Sequence, residues 1–119
     1  MDEAMALGVM RSYLAAFDER DLTRCLEYFA DDAEINFHMS VYRGKQQIEQ
    51  WHKDRFEADL RLLKLEDIVV KGDSVVVEAL VTSKKIRAWK IPSLSGEVSV
   101  RMDGGRFRSA VFKLRALPW

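Results

Sequence analysis

The hydrophobic period changes once along the chain, from helical spacing to strand alternation, and this change limits the folds open to it. Met10, Tyr13, Leu14 and Phe17 recur at i, i+3, i+4 and i+7, which predicts a helix over about residues 3–18 with Tyr13 in the middle of its apolar face. Asp21 is placed to cap a second, short helix in which Leu22, Cys25, Leu26 and Phe29 keep the same spacing. Ala30-Asp31-Asp32-Ala33 closes that helix, the two aspartates serving the turn. Glu34 to Val41 then alternate strictly, as a half-buried strand with Ile35, Phe37, Met39 and Val41 facing in and Asn36, His38 and Ser40 facing out. Gly44 breaks the strand, and Ile48, Trp51, His52 and Arg55 fall on one stripe of a third helix.

From residue 60 onward the pattern is that of strands. Leu63, Leu65, Ile68 and Val70 belong to one run, Gly72-Asp73 marks a turn, and Ser74 to Thr82 forms a second run rich in valine. Asp103-Gly104-Gly105 is a hairpin signal between Val98–Met102 and Phe107–Leu114. Ser83 to Gly96 is irregular and reads as a strand end followed by a mobile loop. Helices first and strands after give an α+β architecture in which a curved antiparallel sheet wraps around three helices.

With 48% hydrophobic residues, the chain carries enough apolar surface for one domain over residues 1–119 and too much for disorder. The one cysteine, Cys25, has no partner for an internal disulfide and reads as a small core residue, and no apolar run resembles a signal-peptide core or a membrane span. A cytoplasmic protein without membrane contact is the expectation. The formal net charge is zero, yet residues 1–60 hold 13 acids and 7 bases, and residues 61–119 hold 6 acids and 12 bases. Two solvated faces of opposite sign account for this, as does a basic half that meets an anionic ligand or the acidic half of a second subunit. The bases are spread along presumed strands without a recognition motif, so nucleic acid is not an expected partner.

Tyr13-Leu14-Ala15-Ala16-Phe17, the polar turn into Asp21-Leu22, the stretch from Tyr28 to Ala33, the helix start at Gly44, Gly72-Asp73-Ser74-Val75 and Asp103-Gly104-Gly105 follow one another in a familiar order. That order resembles the SnoaL-like branch of the nuclear-transport-factor-two-like superfamily. The resemblance spans nearly the whole chain and implies a cone-shaped α+β barrel whose pocket is closed by the first and third helices. It also implies a homodimer through the outer sheet face, which makes His38 an interface candidate. Members include ketosteroid isomerases, polyketide cyclases, epoxide hydrolases, dehydratases and non-catalytic binding modules, so fold alone does not decide function.

The isomerase pattern places an oxyanion-donating tyrosine on the first helix, a carboxylate base on the first strand and a protonated acid on a later strand. Tyr13 takes the first position, whereas Phe37 and Val98 occupy the two acid positions. His52 falls where the isomerases carry an aromatic hydroxyl that supports the tyrosine, so the resemblance implies a Tyr13–His52 hydrogen bond. The implied pocket is lined by Phe17, Phe29, Phe37, Trp51, Arg55, Ala110 and Phe112. Plainer roles exist for the polar members: a core tyrosine with a partnered hydroxyl, a satisfied core imidazole, and an arginine that snorkels. Glu78 sits between Val75-Val76-Val77 and Ala79-Leu80, where alternation leaves its face open; facing inward, it becomes the general-base candidate.

Two histidines in separate elements form no zinc pattern, Gly104-Gly105 precedes no helix start, and no Gly-x-Ser-x-Gly is present, so neither metal nor cofactor is expected. One functional reading is a pocket for a flat, apolar carbonyl or phenolic compound, with isomerisation, cyclisation or dehydration as its chemistry. The other is a non-catalytic ligand carrier or homodimeric scaffold packed shut inside, which a cavity below about 300 Å³ favours. An epoxide-hydrolase-like site needs an inward Asp-Arg-Asp set; Arg101 and Arg108 supply arginines without evident aspartate partners.

Overall fold

Asp2 accepts a hydrogen bond from the Met5 amide and starts α1 (Glu3–Asp18), which buries Ala6, Met10, Tyr13 and Ala16 along one face. Asp21 caps α2 (Leu22–Glu27) through the Arg24 amide, and α3 (Gly44–Glu57) buries Ile48, Trp51 and His52. The computed structural model describes residues 2–114. Its strands are β1 (Phe29–Phe37), β2 (Ser40–Arg43), β3 (Arg61–Lys71), β4 (Ser74–Thr82), β5 (Leu94–Asp103) and β6 (Arg106–Leu114), with a short α4 (Lys84–Ala88) between β4 and β5. They form one sheet in the order β2-β1-β6-β5-β4-β3. Extra residues in β3, at Leu63 and Glu66, and in β6, at Arg108, increase the local twist and curl the sheet. Against its concave side, α3 packs on β1 and β2 while α1 packs on β3 and β4.

The α+β cone is therefore present, with two adjustments. The sheet is mixed, because β1 and β6 run parallel while every other neighbouring pair is antiparallel. It also stays open, with β2 and β3 as its edges.

Several local expectations are corrected. Glu34–Val41 is not one strand: His38, with φ at 56°, and Met39 form a two-residue turn, so that Phe37 pairs with Ser40 and Ile35 with Tyr42. Such a hairpin inverts the alternation. Tyr42 takes the inward face, whereas Met39 is fully exposed and Val41 is 46% exposed. Phe29 begins β1 instead of extending α2, because the Phe107 amide donates to the Tyr28 carbonyl at 2.7 Å and draws the chain into the sheet. The Ala30–Ala33 segment is accordingly strand. Ser83–Gly96 holds α4, capped by the Ser83 hydroxyl and anchored by buried Ile86, before β5 begins at Leu94.

Candidate functional site

Tyr13 and His52 meet between α1 and α3, where the phenol oxygen lies 2.8 Å from Nε2 of the imidazole. The other ring nitrogen, Nδ1, lies 2.8 Å from the carbonyl oxygen of Ile48, one turn earlier on α3. A carbonyl can only accept, so Nδ1 carries the hydrogen of the neutral ring, Nε2 presents its lone pair, and the Tyr13 hydroxyl donates to it. Burial pushes His52 down to about 4, with the Ile48 bond opposing only part of that shift. Burial also holds the Tyr13 phenol well above its ordinary range, and Cys25 adds to the effect. Both rings are thus neutral near pH 7, and the direction of their hydrogen bond is fixed. Rings of Phe17, Tyr28, Phe29 and Phe107 surround Tyr13 at 5.1–6.2 Å between centroids.

Beside Tyr13 a cleft of about 120 Å³ opens between α1 and the concave sheet. Its walls are Leu14 and Phe17 of α1, Phe37 of β1, Leu62 of β3, Val77, Ala79 and Val81 of β4, Gly96 and Val98 of β5, and Phe112 and Leu114 of β6. Ala79 and Gly96 are cross-strand partners, and these two small residues leave space in the wall. Asp18, Arg20, His38 and Arg61 contribute charge and polarity to the lining, whereas Glu97 and Lys113 border it from strand positions that alternate with inward Val98 and Phe112.

Of the residues expected at the pocket, Tyr13, Phe17, Phe37 and Phe112 line the cleft. Phe29, Trp51, His52 and Ala110 do not; they are buried behind the wall as its support. Arg55 is also outside the lining, its guanidinium 4.4 Å from the Phe37 ring centroid and 5.9 Å from that of Trp51. His38 is a correction: the turn at residues 38–39 removes it from a strand face and brings it to the cleft instead of the outer sheet surface. Glu78 is another. Val75, Val77 and Ala79 hold the buried face of β4, so Glu78 points to the opposite face, among Asp67, Val69, Lys71, Val76 and Glu97, and cannot act as a base in the cleft.

The wall contributed by β3 to β5 escaped sequence reasoning, although the alternation of Val77, Ala79 and Val81 carried its signal once the phase of β4 was known. Arg20 and Arg61 left no such periodic trace. Cys25 is buried and its thiol is pushed up to about 12, chiefly by burial with Asp21 adding, which makes it inert. Among the described residues no group of three or more His, Cys, Asp or Glu is placed to hold a metal ion, and no helix is long and apolar enough to cross a membrane.

A family model described as the SnoaL-like domain matches residues 10–112. The chain belongs to the SnoaL-like family. Among solved structures, a SnoaL-like protein of unknown function from Burkholderia thailandensis aligns with 18% identity over 98% of this chain and 99% of its own, at a TM-score of 0.79. A protein from Kribbella flavida provisionally assigned as a ketosteroid isomerase aligns at TM-score 0.82 and 14% identity, over 98% of this chain and 82% of its own. One from Sinorhizobium meliloti provisionally assigned as a polyketide cyclase gives 0.77 and 20%, over 89% and 94%. At these identities they establish the fold alone. No curated protein gives a significant match.

Phe37 and Val98, which the resemblance sets at the isomerases' acid positions, both line this SnoaL-like cleft. An Asp-Arg-Asp set does exist, since Arg108 bonds Asp32 and Asp103 at 3.1 Å each, which supplies the partners that the sequence did not reveal. All three side chains are nevertheless exposed and none lines the cleft, so the set does not form an interior epoxide-hydrolase-like site.

The histidine has a measurable consequence. An unfolded chain takes up the His52 proton near 6.5, the folded chain only near 4, so the unfolded state binds more protons between these values and stability falls as pH falls through them. Each unit is worth about 1.4 kcal/mol, a total near 3 kcal/mol. Urea denaturation from pH 6.5 to 5, above the main carboxylate range, is expected to show this slope in the wild type and to lose it in His52→Gln. Tyr13→Phe, which orphans buried Nε2, is expected to lower stability by about 1–3 kcal/mol at pH 7.

Proposed function

We propose that this SnoaL-like protein binds a small, single-ring apolar molecule in the cleft, with an O–H or N–H of the ligand donated to Tyr13. The observation that carries this reading is the cleft itself: about 120 Å³, walled by Leu14, Phe17, Phe37, Val77, Ala79, Val98 and Phe112, with Tyr13 as its buried polar group. Apolar cavities of about 150 Å³ take up benzene, whereas a steroid needs several times that space. Because the Tyr13 proton is already donated to His52, the phenol oxygen has only lone pairs left to offer. A phenolic or amino ligand therefore fits better than a carbonyl compound, and Tyr13 is not an oxyanion donor in the neutral state.

Binding stands ahead of turnover in this reading. The volume is below that of most enzyme pockets, and apolar side chains hold both acid positions. Isomerase- or cyclase-type chemistry keeps one support, the Tyr13–His52 pair. There Tyr13 would orient a ligand O–H as a fixed acceptor, because an imidazole that holds a proton only near pH 4 is too weak a base to take one from it.

We also propose a homodimer through the outer sheet face. Cross-strand pairing lines up three rows there: Asp67, Glu78, Glu97 and Lys113; then Val69, Val76, Ser99 and Val111; then Lys71, Ser74, Arg101 and Ser109. A two-fold axis along the valine row sets each copy's acidic row over the other's Lys71 and Arg101, so the face is self-complementary.

Calorimetric titration is expected to detect phenol binding that weakens about tenfold in Tyr13→Phe, with anisole unaffected by the substitution and a steroid not bound. Tighter binding of a carbonyl compound than of phenol would contradict the acceptor role. Ala79→Leu, which fills the cleft, is expected to abolish phenol binding while the fold persists. Sedimentation at micromolar concentration is expected to give a species of twice 13.8 kDa that dissociates in Glu78→Lys; a 13.8 kDa species alone in the wild type would contradict the dimer.

A further inference from the structure

The rim of the cleft carries more positive charge than its ion pairs consume. Arg20, Arg61 and Arg87 converge on the one carboxylate of Asp59: Arg20 Nη2 at 3.2 Å and Arg61 Nε at 2.7 Å share Oδ1, and Arg87 Nη2 lies 2.6 Å from Oδ2. Desolvation raises the Asp59 carboxyl, but the three arginines, Arg87 foremost, outweigh it and hold the group below its ordinary value. Arg20 and Asp59 occupy left-handed turns after α1 and α3, with φ at 59° and 54°. Arg20 ties those two turns together and Arg87 brings α4 to the same carboxylate, so Arg61 adds a third cation to a group already held.

Arg20 and Arg61 both line the cleft. Arg20 is held in place, with its guanidinium 5.5 and 5.2 Å from the Phe17 and Phe56 ring centroids and Nη1 donating to the Phe17 carbonyl at 3.2 Å. Arg61 is different. It engages Asp59 through Nε, and its two terminal amino groups have no partner among the described residues. Of the acids bordering the cleft, Glu97 alternates with inward Val98 and lies on the outer-face row with Glu78, and Asp18 ends α1. Arginine therefore dominates this side of the opening.

We propose that Arg61, backed by Arg20, captures a carboxylate on the molecule whose ring fills the cleft, so that the ligand class is a small aromatic acid. A planar carboxylate matches the guanidinium fork, and an anionic group is expelled from an apolar interior toward such a rim. This rests on the cleft being a ligand site.

Benzoate and benzamide share shape and differ in charge, and phenol serves as a control for the cleft. Calorimetric titration at low salt is expected to show benzoate bound at least tenfold tighter than benzamide, with the margin shrinking as salt is raised. Arg61→Gln should abolish the margin while phenol binding and the thermal melt stay unchanged, since Arg20 and Arg87 still hold Asp59; Arg61→Lys should retain part of it. Equal affinities for benzoate and benzamide in a wild type that binds phenol would overturn the capture proposal and leave the cleft reading standing. So would a margin that survives Arg61→Gln. Failure of all three compounds to bind would overturn the cleft reading, and this proposal with it.

Discussion

The hydrogen-bond chain from Tyr13 through His52 to the Ile48 carbonyl fixes how the two long helices sit on the sheet. Each of its polar atoms is buried, and leaving any one unpaired costs about 1–3 kcal/mol. Helix α1 must therefore present Tyr13 at one height and α3 must present His52 at another, within a few tenths of an ångström. The aromatic rings of Phe17, Phe29 and Phe107 pack edge-on or tilted around Tyr13, and such pairs add about 0.5–1.5 kcal/mol each to simple burial. The polar chain and its aromatic setting together leave little freedom at the closed end of the cone.

What remains open is set by small residues and by curvature. Ala79 and Gly96 face each other across β4 and β5, and the bulges in β3 and β6 curl the sheet. The resulting cleft has a polar group at Tyr13 and an arginine-rich rim, with hydrocarbon between. The direction of the Tyr13–His52 bond gives this arrangement its chemical sense. A neutral imidazole bonded at Nδ1 to a carbonyl accepts the phenol hydrogen bond at Nε2, so the Tyr13 oxygen keeps only lone pairs for any other neighbour.

Much of this was legible in the residues. The spacing of Met10, Tyr13, Leu14 and Phe17 matched α1, the stripe of Ile48, Trp51 and His52 matched the buried face of α3, and Gly72-Asp73 and Asp103-Gly104-Gly105 marked real turns. The Tyr13–His52 contact followed from the family resemblance, since residues 39 positions apart leave no local signal. The turn at His38-Met39 was hidden because its residues continue an apolar–polar alternation that reads equally well as an unbroken strand. Glu78 could not be oriented, because valines on both sides of it erase the period. The arginine cluster was invisible for another reason: Arg20, Asp59 with Arg61, and Arg87 come from three separate stretches of the chain, brought together only by the fold.

The polarity of the central hydrogen bond can be read directly from nitrogen-15 chemical shifts of the His52 ring at pH 7. A neutral imidazole is expected, with the hydrogen on Nδ1 and an unprotonated, hydrogen-bonded Nε2. A ring protonated on Nε2, whether as the other tautomer or as the imidazolium, would free the Tyr13 hydroxyl to donate into the cleft and would contradict the account.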